Sequence, residues 1–313
     1  MRLATIDIGT NTTLLLVAEA GAHEVRVLAE RAEITRLGRG IGADGGLGRP
    51  GIERTLAVLT DYVEVARAHG ASIHAIGTEG LRRAPNASDF LEPAGRILGV
   101  PVEVIDGDRE ATLSFLAAER SFPDETRGTA IVLDIGGGST EIIVARAGQV
   151  EFRRSLPMGS VRLTEKHIRT DPAAPAEVAA VTDEIVQQLA GIPLPFPAGP
   201  ITLIGTAGTV TTLAAMSLEL TSYDPARVHG LRLTLTALER QIARLRVSTQ
   251  AEREKMAGLD PKRADVILAG ACILAQIALS AHAAEVLVSD RGIRWGLLFE
   301  NAVGKTSDIL VLG

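Results

Sequence analysis

Two stretches of this chain read alike: ATIDIGTNTTLLLVAEAG from Ala4 to Gly21 and AIVLDIGGGSTEIIVARAG from Ala130 to Gly148. Each is an apolar strand ending in Asp-Ile-Gly (Asp7-Ile8-Gly9 and Asp134-Ile135-Gly136), then a small hydroxyl-bearing turn, then a second apolar strand. A hairpin with an acid at its mouth, present twice in one register, constrains the fold to two related halves closing on one phosphate-bearing ligand. Glycine lets backbone N–H groups approach a phosphate with no Cβ in the way. Successive N–H groups in a tight turn make a concave anion site. On that reading the phosphate contacts are Gly9, Thr10, Asn11 and Thr12 in the first turn and Gly136, Gly137, Gly138, Ser139 and Thr140 in the second. An aspartate repels phosphate, so Asp7 and Asp134 are read as carboxylates for a divalent cation that bridges to it.

Composition narrows the ligand. Aromatic residues are 3% of the chain and the formal net charge is −6, which argues against base-stacking platforms and against general nucleic-acid binding. An acidic protein that handles phosphate must concentrate its arginines locally. At 313 residues the chain is long enough for two domains, each with its own core. Cys272 is the single cysteine, so no internal disulfide forms and a reducing cytoplasm is the expected compartment. The N-terminus lacks the basic-then-apolar plan of a signal peptide. Val266 to Ala284 carries no charge, but Gly270, Gln276, Ser280 and His282 interrupt it, so a buried core helix is expected and no membrane span.

Strand and helix patterns alternate through the first half, which indicates an α/β layer. Glu24–Ile34 reads as strand, a helix buries Ile52, Leu56, Leu59, Val63 and Ala66, and Ser72–Gly77 is a short strand. A helix over Ser88–Leu98, a strand over Pro101–Ile105 and a helix over Asp108–Arg120 follow, and Ser121–Gly128 is the linker candidate. The second half adds a third strand over Val150–Pro157, helices near Val161–Ile168 and Pro175–Leu189, and a strand over Ile201–Ala207 leading into a helix from Gly208. Glu285–Ser289 is a last strand and Gly292–Val303 a last helix. The pattern Gly40-x-Gly42-x-x-Gly45 imitates a dinucleotide fingerprint, yet no helix starts directly after it. Gly304-Lys305-Thr306 imitates a Walker loop, but Phe299 stands where its first glycine belongs.

Four further segments bear on the same chemistry. In GTEGLRRAPN, Arg82 and Arg83 follow a strand end; they are either a solvated pair or a guanidinium fork for phosphate. In VIDGDREATLSF, Glu110 sits in the first turn of a helix, where it either complements the helix dipole or acts as a base for water. Gly205-Thr206-Ala207-Gly208-Thr209 is a strand, a small-residue turn and a helix start, so Gly205, Gly208 and Thr209 suit phosphate or ribose. Asp290, Arg291 and Arg294 follow the last strand.

DIGTNTT, TEGLRRAPNASDFL, DIGGGSTE, MGSVRLTE, GTAGTVT and RADVILAG, in this order from Ala4 to about Val303, resemble the Ppx/GppA phosphatases, which are exopolyphosphatases and guanosine pentaphosphate phosphohydrolases. The resemblance implies an α/β fold of two actin-like domains (ribonuclease H-like, of the sugar kinase, heat-shock chaperone and actin superfamily) with a cleft between them. With the linker candidate, it divides the chain into residues 1–125 and 126–313. It also implies the short form, without the extra helical domains of longer members, and hinge closure on substrate.

The family's catalytic glutamate is the second Glu of a Gly-x-Glu-Glu-Ala pattern. Here the segment is Gly107-Asp108-Arg109-Glu110-Ala111, so Glu110 inherits that role and Arg109 replaces the first Glu, reversing a charge beside the base. By the same resemblance Asp134 and Glu141 are catalytic carboxylates that hold Mg2+ and position water, with Asp7 as a further metal carboxylate, and Arg82 joins the glycine turns in gripping phosphate. The implied reaction is metal-dependent hydrolysis of the terminal phosphoanhydride of inorganic polyphosphate, releasing orthophosphate. The alternatives are a guanosine pentaphosphate 5'-phosphohydrolase and an actin-like ATP-binding ATPase. The expected partner is polyphosphate or guanosine pentaphosphate, with no nucleic acid and no membrane, and a homodimer left open.

Overall fold

The computed structural model describes residues 1–21, 24–40, 45–193, 199–302 and 310–312. Gly42 of the glycine-rich loop and the Gly304-Lys305-Thr306 tripeptide lie outside the described residues. The first block contains strands β1 (Arg2–Ile8), β2 (Thr13–Ala20), β3 (Glu24–Glu33), β4 (Ser72–Gly77) and β5 (Glu103–Val104). Its helices are α1 (Arg49–Ala68), α2 (Glu79–Arg83), α3 (Ser88–Leu98) and α4 (Gly107–Ser121). The second block opens with α5 (Pro123–Thr126), β6 (Thr129–Ile135), β7 (Thr140–Arg146), β8 (Gln149–Leu156), α6 (Ser160–His167) and α7 (Pro175–Ala190). It continues through β9 (Thr202–Thr206), α8 (Ala207–Ser217), α9 (Pro225–Val228), β10 (Arg232–Thr234), α10 (Leu235–Val247) and α11 (Gln250–Arg253). Then come α12 (Ile267–Ser280), β11 (Glu285–Val288), α13 (Ile293–Ala302) and β12 (Leu310–Leu312).

Contacts divide the chain into Met1–Arg120 with Gly292–Gly313, and Ser121–Arg291. This differs from the expected division at residue 125 with a second domain running to the end. The physical reason is α13, whose Trp295, Leu298 and Phe299 bury against Leu3, Leu16 and Ala18 of the first sheet. Gly296 permits that seat, since a Cβ there would lie 2.0 Å from the Leu113 carbonyl oxygen. The linker candidate is built in as well: Phe122 stacks on His229 with ring centroids 4.7 Å apart.

Each unit carries a six-stranded sheet, ordered β12-β3-β2-β1-β4-β5 in the first and β10-β11-β9-β6-β7-β8 in the second. Read outward from the hairpin, β3-β2-β1-β4-β5 and β8-β7-β6-β9-β11 are one plan: two antiparallel pairings, then parallel strands added on the other side. The repeat holds in register. Ile8 pairs with Thr13 and Ile135 with Thr140 across the two turns, and the second strand of each hairpin has its irregularity at the same place, between Val17 and Ala18 and between Val144 and Ala145.

The pleat decides where each acid points. In β1, Ala4, Ile6 and Ile8 enter the core beneath α1 and α3, while Leu3 faces α13 and the Thr5 hydroxyl donates to the Arg294 carbonyl oxygen at 2.9 Å. Asp7 continues that odd-numbered face. In β6, Ile131, Leu133 and Ile135 enter the large core of the second unit, so Asp134 points to the opposite face. These central strands read as near-continuous apolar runs because both faces are covered. The uncharged stretch around Ile267–Ser280 is α12, buried along most of its length. Among the described residues no helix is long and apolar enough to cross a membrane.

Candidate active site

In the first unit the carboxyl ends of three parallel strands, β1, β4 and β5, lie side by side, with Ile8 beside Gly77 and Gly77 beside Val104. They deliver the Gly9–Thr12 turn, α2 and the start of α4 to one edge, where open α/β sheets place their ligands. Glu110 is 3% exposed. Arg82 Nη1 donates both to the Glu110 carboxylate and, at 2.6 Å, to the Ile105 carbonyl oxygen. Both bonds use Nη1, and the Arg82 side chain stays 27% exposed. Arg82 and Arg83 lie on the short helix α2, which aims Arg82 at Glu110 and turns Arg83 toward Glu79, at 3.1 Å. Glu79 is buried and accepts from the Thr10 hydroxyl at 3.4 Å. Gly80 lets this helix touch the first turn, since a Cβ there would sit 3.0 Å from Thr10 Oγ1. Asn11 is 6% exposed, and its side-chain Nδ2 has no hydrogen-bond partner among the described residues. A buried amide donor left this way matches an absent acceptor such as a phosphate oxygen.

Two residues named from the sequence are engaged within the fold itself. The Gly9 N–H is used inside the turn, donating to the Thr12 carbonyl oxygen at 3.0 Å, so Gly9 serves the tight turn. Arg109 turns away from Glu110 and forms a two-pronged pair with Glu300 of α13 at 2.6 and 2.5 Å. Adjacent helix positions point in different directions, so the substitution at 109 fastens α4 to α13.

The second unit has an acid row. Glu141 on β7 is the direct partner of Asp134 on β6, which lies beside Thr206 on β9, so all three side chains share one face. Ser155 on β8 extends the row and donates to Glu141 Oε1 at 2.6 Å. Asp134 and Glu141 are 5% and 1% exposed. Thr206 Oγ1 is buried with no partner among the described residues. The first unit has Leu14 where Glu141 stands in the second, so only the second of the twin hairpins sets two carboxylates directly opposite each other.

The Gly136–Ser139 turn is clamped from behind by the start of α6. Ser160 N–H donates to Gly136 O at 3.0 Å, Val161 and Arg162 N–H to Gly137 O at 2.9 and 3.1 Å, and Arg162 Nε to Gly138 O at 2.8 Å. With its carbonyls held by the helix, the turn is fixed with its peptide N–H edges on the other side. Gly136 N–H donates to Ser139 O at 3.0 Å, repeating Gly9, and the Thr140 hydroxyl donates to Met158 O at 2.5 Å. Gly136 and Thr140 therefore shape the turn, while Gly137, Gly138 and the buried Ser139 remain the phosphate-facing candidates.

At the end of β9, Gly205 is a packing position, because a Cβ would meet Val210 and Val286 at 2.9 Å. Thr209 packs against Gly270 of α12, whose added Cβ would lie 2.5 Å from Thr209 Cγ2. The Gly208 backbone is covered by the Arg263 guanidinium, with Nη2 2.2 Å from where a Cβ would be. Ala207 holds φ at +68°, a left-handed conformation that costs a residue with a side chain. Arg294 is committed within the first unit, where it and Trp295 Nε1 both donate to Glu30 at 3.2 Å.

At the end of β11, Asp290 N–H donates to His229 Nδ1 at 3.2 Å. Burial, and then the nearby Arg291 charge, push the His229 imidazole down to about 4 from 6.5. The folded protein thus keeps this ring neutral where the unfolded chain takes up a proton. The stability it contributes is complete above pH 6.5 and is lost as pH falls toward 4, amounting to about 3 kcal/mol. Urea unfolding at pH 7 and 4.5 checks this: His229→Asn, which keeps an acceptor near Nδ1, should lose about 2 kcal/mol of the parent's pH dependence between those values. An unchanged dependence would remove His229 as its source.

Within either unit, among the described residues, no three His, Cys, Asp or Glu side chains cluster as a closed metal cage. The Asp134–Glu141 pair with the unpartnered Thr206 hydroxyl beside it offers hard oxygen donors alone. That set fits a magnesium-type ion, which binds through one or two carboxylates, water and substrate phosphates. Glu79, Thr206 and Arg263 escaped the sequence reading as site residues. Each lay inside a quoted motif, but only register and packing show where it points.

Comparison with known proteins agrees with this architecture. The family model described as Ppx/GppA phosphatase family matches residues 16–303. Exopolyphosphatase 2 of Mycobacterium tuberculosis is 35% identical over 291 residues, which is 88% of this chain and 90% of that protein. The crystal structure of the Aquifex aeolicus Ppx/GppA family member aligns with a TM-score of 0.80 at 34% identity, over 96% of this chain and 97% of its own. An exopolyphosphatase from Cytophaga hutchinsonii aligns with a TM-score of 0.88 at 27% identity, over 96% and 98%. The fold class is the actin-like one expected from the motifs.

Proposed function

This chain belongs to the Ppx/GppA phosphatase family, and from that premise we propose that it removes the terminal phosphate of inorganic polyphosphate as orthophosphate. Membership makes it a phosphoanhydride hydrolase; the substrate and the residue roles are what is proposed. The observation that carries the reading is Glu110, a buried carboxylate held by Arg82 at the carboxyl ends of parallel strands. Relatives named exopolyphosphatases support polyphosphate, as does a 3% aromatic content that offers little surface for stacking a base.

Phosphoryl transfer requires charge neutralisation and in-line positioning more than covalent chemistry. In the first unit, Arg82 orients the Glu110 carboxylate, which takes the proton of the attacking water. Asn11 Nδ2 and the Thr10–Thr12 turn donate to phosphate oxygens. In the second unit, the N–H edges of Gly137, Gly138 and Ser139 do the same, and Asp134 and Glu141 are the residues that would hold a divalent ion. A magnesium ion there would offset the charge on the phosphate oxygens.

The test is phosphate release from long-chain polyphosphate, guanosine pentaphosphate and ATP, each with and without Mg2+. We expect release from polyphosphate that stops on chelation and returns with Mg2+. Release from the pentaphosphate or from ATP alone would overturn the substrate.

A further inference from the structure

An open pocket of about 440 Å3 in the first unit is lined by Arg36, Arg39 and Arg54, with Gly48 and Gly51 among its walls and no acidic side chain among its described lining residues. Three features show how it is built. Gly51 brings the start of α1 onto the backbone of Arg36 and Leu37, because a Cβ there would lie 3.1 and 3.0 Å from their carbonyl oxygens. Arg36 holds φ at +52°, the left-handed region that a side-chain-bearing residue rarely adopts without a compensating reason. Asn86 clasps the backbone of Leu47 at the rim from both sides, accepting from its N–H at 2.7 Å and donating to its carbonyl at 3.1 Å. The nearby acid Glu53 is paired with Arg49 at 2.8 Å.

The segment that lines the pocket is fastened to the first phosphate turn. Arg36 N–H donates to Asn11 O at 2.9 Å and Gly38 N–H to Thr10 O at 2.8 Å, while the Thr13 and Thr35 hydroxyls meet at 3.0 Å. The segment that carries Arg36 and Arg39 is thus fastened to the turn that carries the buried Asn11 amide. Guanidinium groups match phosphate oxygens in a bidentate fork. The volume equals that of about fifteen waters of about 30 Å3 each, more than a single phosphate needs.

We propose that this pocket binds internal phosphates of a polyphosphate chain whose end is at the first turn, and so favours long chains over short ones. The proposal rests on the reading of the substrate above. The pocket adds contacts that only a chain extending beyond the first turn can make, so affinity should rise with chain length.

Direct binding separates this from the reaction. In a Glu110→Gln background, long-chain polyphosphate and tripolyphosphate are titrated against parent and Arg39→Gln/Arg54→Gln proteins. The expected result is a Kd for the long chain raised roughly tenfold or more, as for loss of charge-assisted hydrogen bonds, with a much smaller change for tripolyphosphate. The dependence of Kd on salt should also become shallower, since fewer counterions are displaced. Arg39→Glu alone, on an exposed side chain, should weaken the long chain as well and unfold at the parent temperature, which guards against a folding defect in the double variant. Equal losses for both lengths, no loss, or no binding of polyphosphate by the parent would each overturn the pocket. Orthophosphate competing as tightly as the long chain would make it a product site and also overturn it. A parent that binds long chains through these arginines but, with Glu110 restored, releases no phosphate would instead overturn the proposed reaction and leave the pocket standing.

Discussion

Glu110→Gln is expected to lower turnover on polyphosphate by about 10²–10⁴, the usual contribution of a positioned acid–base group, with KM little changed. Glutamine keeps the shape and a carbonyl oxygen for Arg82 but cannot take a proton from water. The Glu110 carboxylate is 3% exposed and anchored by a guanidinium that also donates to Ile105 O at 2.6 Å, so the loss should fall on kcat. Steady-state phosphate release with long-chain polyphosphate measures it. Full turnover would exclude Glu110 from proton transfer, and a rise in KM at constant kcat would reassign it to binding. Arg82→Lys tests the two roles of the guanidinium together. Lysine keeps the charge but loses the fork, so both kcat and affinity should fall.

Gly159→Ala carries the second large effect, and it acts on a residue that touches no substrate. An added Cβ would stand 2.3 Å from Gly137 C and O and 2.5 Å from Gly138 N. Backbone on both sides leaves no flexible side chain to yield, so either the turn or the start of α6 must move. A displacement of about 1 Å at a reacting centre costs on the order of 10² in rate, and overpacking costs about 1–3 kcal/mol in stability. We therefore expect activity to fall about 10²-fold with modest loss of thermal stability. Phosphate release and thermal unfolding together test this. Normal turnover in a folded Gly159→Ala protein would show that the Gly137–Gly138 backbone has no part in catalysis.

The role of Gly159 also shows how far the motifs could be read. MGSVRLTE was recognisable as a motif, but nothing in its spacing showed that α6 grips the carbonyls of the DIGGGST turn. That grip forms between residues over twenty positions apart. Arg109 shows the same limit from the other side. Next to Glu110 in the chain it reads as a charge beside the base, yet its partner is Glu300, 191 residues on. Thr140 and Gly205 were legible as residue types suited to phosphate. Their local pattern is the same whether a hydroxyl meets a ligand or the Met158 carbonyl, and whether a glycine admits a phosphate or Val286.

Local sequence by itself determined the twin hairpins, the acids at their mouths, the strand–helix alternation and the family. Strand periodicity, glycine turns and apolar runs are short-range properties, and the chain writes them twice. Tertiary structure alone decided that α13 belongs with the first unit, that Arg82 holds Glu110, that Glu141, Asp134 and Thr206 form one row, and that three arginines surround one pocket. Those facts depend on which strands lie side by side and on where a missing Cβ lets two backbones meet. Register and close packing between distant segments leave no periodic trace in the chain.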